Sequence, residues 1–181
     1  RRDLWARQPT YVEVWLEKDA LAGVLYQETE VWDVPLMVTR GYPSLSYLHT
    51  AAETITDCGK PAYLYYLGDH DPSGVDIDRA VEKGIRDMAP DAEIHFERVA
   101  VTPEQIKQWD LPTRPTKTTD TRSRNFKGES VEVDAIPPDV LRQVVRSCIS
   151  KHVTKREFKA LKRIEDAERK TLEEFASNWS S

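Results

Sequence analysis

The sequence predicts an α/β fold: a mostly parallel, four-stranded sheet flanked by helices, with a C-terminal helical extension. Three observations carry that expectation. Short β-branched and aromatic runs recur at "YVEVWL" (11–16), "VPLMVT" (34–39), "PAYLYYL" (61–67) and "EIHFERVAV" (93–101). Segments with apolar residues at helical spacing separate them. Turn and stop signals fall between the segments, at "RGYPS" (40–44), Gly59 and Pro90. Strands that alternate with helices in this way build parallel sheets covered by helices on both faces.

The elements follow in order. Residues 11–16 alternate and read as the first strand. In 17–30, Leu21, Val24 and Leu25 share one helical face. The apolar run 34–39 is the second strand, and 45–59 is a helix closed by Gly59. Residues 61–67 form the third strand. Val75, Ile77, Val81 and Ile85 set a helix over 73–89, which ends before Pro90. The fourth strand is 93–101, followed by a short helix at 102–111. Residues 112–128 hold two prolines and five bases against one acid, which marks an exposed basic loop. "ESVEVDAI" (129–136) reads as a short strand or an extended segment. Helices close the chain at 137–153 and 155–179, the last dense in both charges and sparsely apolar, with Phe158, Leu161, Ile164, Leu172 and Phe175.

A length of 181 residues fits one domain with a helical appendage. The layout is an N-terminal linker (1–10), an α/β domain (11–153) and a charged C-terminal helix (154–181). The chain opens at Arg1, not Met, which points to a piece of a longer protein. A net charge of −5 excludes a uniformly basic coat but leaves room for a local basic stripe on a nucleic-acid partner. Cys58 and Cys148 belong to no CxxC pair and read as small core residues of a reducing, cytoplasmic compartment. No apolar run approaches the ~20 residues that a membrane span needs, and no signal peptide is visible.

The chemistry concentrates at "LYYLGDHDPSG" (64–74), where a buried strand gives way to Asp69 and Asp71. Like charges about 4 Å apart repel by roughly 4 kcal/mol at an effective dielectric near 20, unless a cation lies between them. Oxygen ligands at strand ends suit Mg²⁺, which keeps waters and takes one or two carboxylates plus phosphate oxygens. Glu17, at the end of the first strand, offers a third acid in the crevice beyond the carboxyl ends of the sheet. A helix N-terminus near Ser73 is ready to receive an anion. The plain alternatives are that an aspartate merely caps the following helix and that Glu17 complements a helix dipole.

In order along the chain, "EKDA" (17–20), "TRGYPS" (39–44) and "DHDPSG" (69–74) resemble the Toprim domain, with a glutamate after its first strand and a DxD after its third. The pattern is most similar to the A subunit of topoisomerase VI and the related meiotic double-strand-break proteins. "TPEQIKQWDLPT" (102–113) and "VEVDAI" (131–136) extend the likeness over about residues 11–150. The resemblance implies a Toprim-like fold, Mg²⁺ (or Mn²⁺) held by Glu17, Asp69 and Asp71 as catalytic residues, and cleavage of nucleic-acid strands. It also implies DNA as partner, with RNA left open, and a homodimer or partner subunit. In the family the attacking tyrosine sits on a separate upstream winged-helix domain; other Toprim nucleases use a metal-bound water.

The candidate phosphate contacts are Lys18, Arg40 and the loop bases Arg114, Lys117, Arg122, Arg124 and Lys127. Tyr11, Tyr63, Tyr65 and Tyr66 fall in strands, and Tyr42, in the "GYPS" turn, is expected to be the most exposed tyrosine. His70 offers a ligand or proton donor between the aspartates, but as the middle residue of a DxD it is expected to point away from a metal and to serve a structural role. Glu132 and Asp134 make a second acidic pair. The rival reading is a non-catalytic DNA-binding or assembly module whose acidic site holds a structural cation. A receiver-like phosphoacceptor domain ranks lower, because it needs two acids after the first strand and one after the third.

Overall fold

The computed structural model describes residues 4–6, 8–116, 126, 128–153 and 155–179. Four strands, β1 (Tyr11–Leu16), β2 (Leu36–Val38), β3 (Ala62–Leu67) and β4 (Ile94–Ala100), form one sheet in the order β2-β1-β3-β4. Every pairing is parallel: Leu16 lies beside Val38 on one side and Leu67 on the other. The connection out of β1 runs to one side of the sheet, and the chain then crosses back to β3 on the other side. The crossovers therefore reverse between β1 and β3, the place where open α/β sheets leave a crevice.

Side-chain alternation sorts the core into two layers. Val12, Val14 and Leu16 face one side, with Leu25 of α1 (Ala22–Thr29) and with Leu141, Val145 and Ile149 of α5 (Pro138–Ile149). Trp15, Leu64 and Tyr66 face the other, against Leu48 and Ile55 of α2 (Leu45–Cys58) and Ile77, Val81 and Ile85 of α3 (Pro72–Met88). Burial on both faces explains why β3 reads as a continuous apolar run. Ser44 caps α2 through the Tyr47 N–H, and Gly59 closes it in the left-handed region at φ 62°. Within the segment 1–10, expected as a linker, Leu4 and Trp5 are buried in the core, and Trp5 Nε1 donates to Trp32 O at 2.9 Å.

One local expectation differs from the structure, and at 129–136 the structure chooses between the strand and the extended segment. The helix expected over 17–30 breaks into a 3₁₀ turn (Asp19–Leu21), α1 and a second 3₁₀ turn (Glu30–Trp32). Glu17 still pairs in the sheet and Lys18 is extended, so the helix cannot start before Asp19. Residues 129–136 form no regular strand. They are a strap in which Ser130 bridges Arg114, Val131 bridges His70, and Val133–Ala135 make a 3₁₀ turn. The short helix α4 (Pro103–Gln108) and the long α6 (Lys155–Trp179) appear where expected. Among the described residues, no helix is long and apolar enough to cross a membrane.

Candidate acidic site at the carboxyl edge of the sheet

Glu17 continues β1 by one residue, its N–H donating to Leu67 O at 2.9 Å. Its side chain is aimed across the strand end, not along a helix. The dipole-complementing role therefore falls away, because α1 begins only at Ala22. β3 ends at Leu67, and Gly68 follows. A Cβ at Gly68 would lie 2.5 Å from Glu17 Oε2 and 2.6 Å from a Tyr66 ring carbon. Only glycine lets the Glu17 carboxylate rest there.

That carboxylate accepts the Asp69 N–H at Oε2, 3.1 Å away. Asp69 Oδ1 accepts the Val133 N–H from the strap at 2.7 Å. Asp71 is the N-cap of α3: its Oδ1 accepts the Gly74 N–H at 2.7 Å, with Pro72 in the first turn. The capping reading is thus true of Asp71 and not of Asp69. Gly74 is required as well, since a Cβ there would meet Asp69 O at 2.2 Å. Glu17, Asp69 and Asp71 come together at the β1/β3 crevice, each with one carboxylate oxygen on a backbone N–H. The other oxygen of each accepts no protein hydrogen bond among the described residues.

The electrostatics register this crowding. Burial and then the Asp69 charge push Glu17 up to about 7, against the pull of the Asp69 N–H. Burial raises Asp69 as well; the Val133 N–H and Lys18 oppose it, and Asp71 and Glu132 add to it.

The cations nearby are committed within the chain. Lys18 Nζ lies 2.6 Å from Asp134 and 2.9 Å from Glu132. Arg114 pairs with Glu132 at 2.5 Å, and Arg40, in the left-handed region at φ 53°, pairs with Asp19 at 3.1 Å. Lys117, Arg122, Arg124 and Lys127 lie outside the described residues. His70 bonds the strap through its backbone, and its ring lies against Phe126 with centroids 5.0 Å apart. The Tyr42 hydroxyl bonds Asp76 at 2.5 Å, and Tyr26 on α1, not Tyr42, is the more exposed tyrosine.

Arg98 on β4 is the functional neighbour that the sequence reading missed. Its guanidinium pairs with Asp78 at 2.5 Å and donates to the carbonyls of Gly68, Asp69 and Gly74 at 2.9–3.1 Å. It stands 5.5 Å over the Tyr66 ring. One side chain thereby fixes the whole turn that carries both aspartates. A base near the buried end of an apolar strand was the available signal. The Val133 N–H carries no sequence signal at all.

The donor set tests well against a hard cation in kind and less well in number. All the donors are oxygens, and each acid keeps one oxygen uncommitted, which fits Mg²⁺. Yet among the described residues no group of three or more His, Cys, Asp or Glu side chains is gathered tightly enough to hold a metal ion. The residues suit an ion that takes one or two carboxylates and completes its shell with water and phosphate. They do not form a closed three-carboxylate cage.

No protein-family model matches the chain, and no curated protein matches it at a significant level.

Proposed function

We propose that this chain is a Toprim-like domain that acts with Mg²⁺ on nucleic-acid phosphodiesters, in strand cleavage by transfer or by hydrolysis. The observation that carries the reading is the meeting of Glu17, Asp69 and Asp71 where the crossovers of the sheet reverse. A glutamate after the first strand and a DxD after the third are the features of the Toprim resemblance, and both lie on this rim. Mg²⁺ bound there would supply charge neutralisation for a phosphate and for the departing alkoxide.

The chain's own residues then have distinct tasks. Asp69, oriented by the Val133 N–H, and Glu17 present their free oxygens to the cation. Burial and the Asp69 charge push Glu17 up to about 7, so its carboxyl is partly protonated near neutral pH, and a bound cation would favour the ionised form. Asp71 divides its carboxylate between the α3 cap and the crevice. Tyr11, Tyr63, Tyr65 and Tyr66 sit in strands, and the Tyr42 hydroxyl is engaged by Asp76. Tyr26 and Tyr47 lie on α1 and α2, and the nucleophile in this reading is a tyrosine from outside this chain or a water.

One observation favours a second reading, a binding or assembly module whose acidic rim holds a structural cation. Lys18, Arg40 and Arg114 are each neutralised by acids of this chain, which leaves less free positive charge for a nucleic acid. Nicking of supercoiled DNA with Mg²⁺ or Mn²⁺ separates the two. Metal-dependent nicking that drops about 100-fold or more in a folded Asp69→Ala variant supports cleavage. Mg²⁺ binding without nicking supports the module. Undiminished nicking by Asp69→Ala refutes the catalytic assignment.

A further inference from the structure

Helix α6 runs 25 residues from Lys155 to Trp179, about 37 Å at 1.5 Å per residue. Its start is anchored: Phe158 lies against Trp32 with ring centroids 4.5 Å apart and joins the core. Beyond that anchor the support ends, and residues 166–177 are exposed on every side of the helix. An unsupported helix of that length is marginal in water, because helices in proteins draw most of their stability from packing an apolar face. Such a face is present. Ile164, Leu172 and Phe175 are exposed by 42%, 70% and 66%. At 100° per residue they fall within an 80° sector, a stripe narrow enough for one partner helix.

The charge along the helix says which partner. Residues 155–163 carry five bases and one acid, and residues 164–179 carry five acids and two bases. A parallel copy would set base on base and acid on acid. An antiparallel copy sets the basic half of each helix against the acidic half of the other. With the two-fold axis at Glu168, Ile164 meets Leu172 of the second copy, and Arg163 lies beside Glu173 and Glu174. The same register brings the two Glu168 side chains together in the seam, the one unfavourable contact that it contains.

We propose that α6 is a self-association surface, pairing antiparallel with α6 of a second copy through Ile164, Leu172 and Phe175. The pairing closes on itself by two-fold symmetry, so it yields a dimer and not a filament. It stands apart from the acidic rim and does not depend on the reaction proposed there.

Sedimentation equilibrium of the full chain tests it, with circular dichroism as the control for folding. The wild type is expected to dimerise. Leu172→Asp with Phe175→Asp is expected to weaken the dimer at least about tenfold while the α/β signature and Mg²⁺ binding persist. Glu168→Leu is expected to tighten it. Orientation is read by oxidative cross-linking in a Cys58→Ser background. Mixing Ile164→Cys chains with Leu172→Cys chains should give the cross-linked dimer, and Ile164→Cys alone should not. A wild type that stays monomeric at about 100 µM overturns the proposal and leaves the stripe to another protein or another part of a longer chain. Efficient cross-linking of Ile164→Cys to itself overturns the antiparallel arrangement.

Discussion

Glu13 within β1 and Glu17 just past its last residue stand four residues apart, and they live in opposite worlds. Glu13 is 1% exposed, and both of its oxygens are taken by neutral donors, the Tyr11 hydroxyl and Trp15 Nε1, each at 2.8 Å. Glu17 is half-buried, with one oxygen on a backbone N–H and two aspartates nearby. Burial raises the pKa of both. A shifted carboxyl is therefore no mark of function by itself. What separates them is the company: donors that finish the hydrogen-bonding of Glu13, and like charges that leave Glu17 in want of a cation.

The largest expected effect falls on the interior member. Glu13→Ala orphans the Trp15 N–H in the core and leaves a void, and should cost about 3 kcal/mol in urea unfolding. Its Mg²⁺ response should be unchanged. A Glu13 variant that lost the Mg²⁺ response would erase the contrast drawn between the two sites.

Glu17 should show itself through pH. Its carboxyl titrates near 4.5 in the unfolded chain and near 7 in the folded one. Between those values the folded state binds the extra proton, so ionisation of Glu17 lowers stability as pH rises toward 7 and keeps it lowered above. Glu17→Gln removes that cost and keeps an acceptor for the Asp69 N–H. Thermal melts should find the variant more stable than wild type at pH 8, with no such advantage at pH 4. An equal difference at both pH values would mean that repulsion at the rim is not the cause.

The fold was legible where one layer of the sheet dictates the pattern. β1, β3 and α3 announce themselves because their apolar residues must meet a covered face, and the stops at Gly59 and Pro90 are local chemistry. The site was legible in part, since acids beyond strand ends are visible once the strands are. Arg98 was hidden because its role depends on β4 lying beside β3, a long-range pairing. The strap was hidden because its contribution at Val133 is a backbone N–H, which any residue but proline could supply. The split of α1 followed from Glu17 staying in the sheet, again a tertiary fact. Among the cations, residue type suggested phosphate contacts at Lys18, Arg40 and Arg114, but only coordinates show the acids that hold them.

The smallest effect is expected there. Lys18→Ala breaks two partly exposed ion pairs with Glu132 and Asp134. It should cost less than about 1 kcal/mol, and less still at high salt. A larger, salt-independent loss would make Lys18 a structural linchpin of the rim and would widen the site beyond the three acids.

The most direct measurement of the central claim is calorimetric titration of Mg²⁺ into the wild type, Asp69→Asn, Glu17→Gln and Glu13→Gln at pH 6 and pH 8. The wild type should bind more tightly at pH 8 and release a proton to the buffer on binding at pH 6, as the cation takes the place of the Glu17 proton. Asp69→Asn should lose most of the affinity, Glu17→Gln should lose the proton release, and Glu13→Gln should match the wild type. Binding that is absent in the wild type, or equal in all four proteins, would contradict a cation site at the β1/β3 rim.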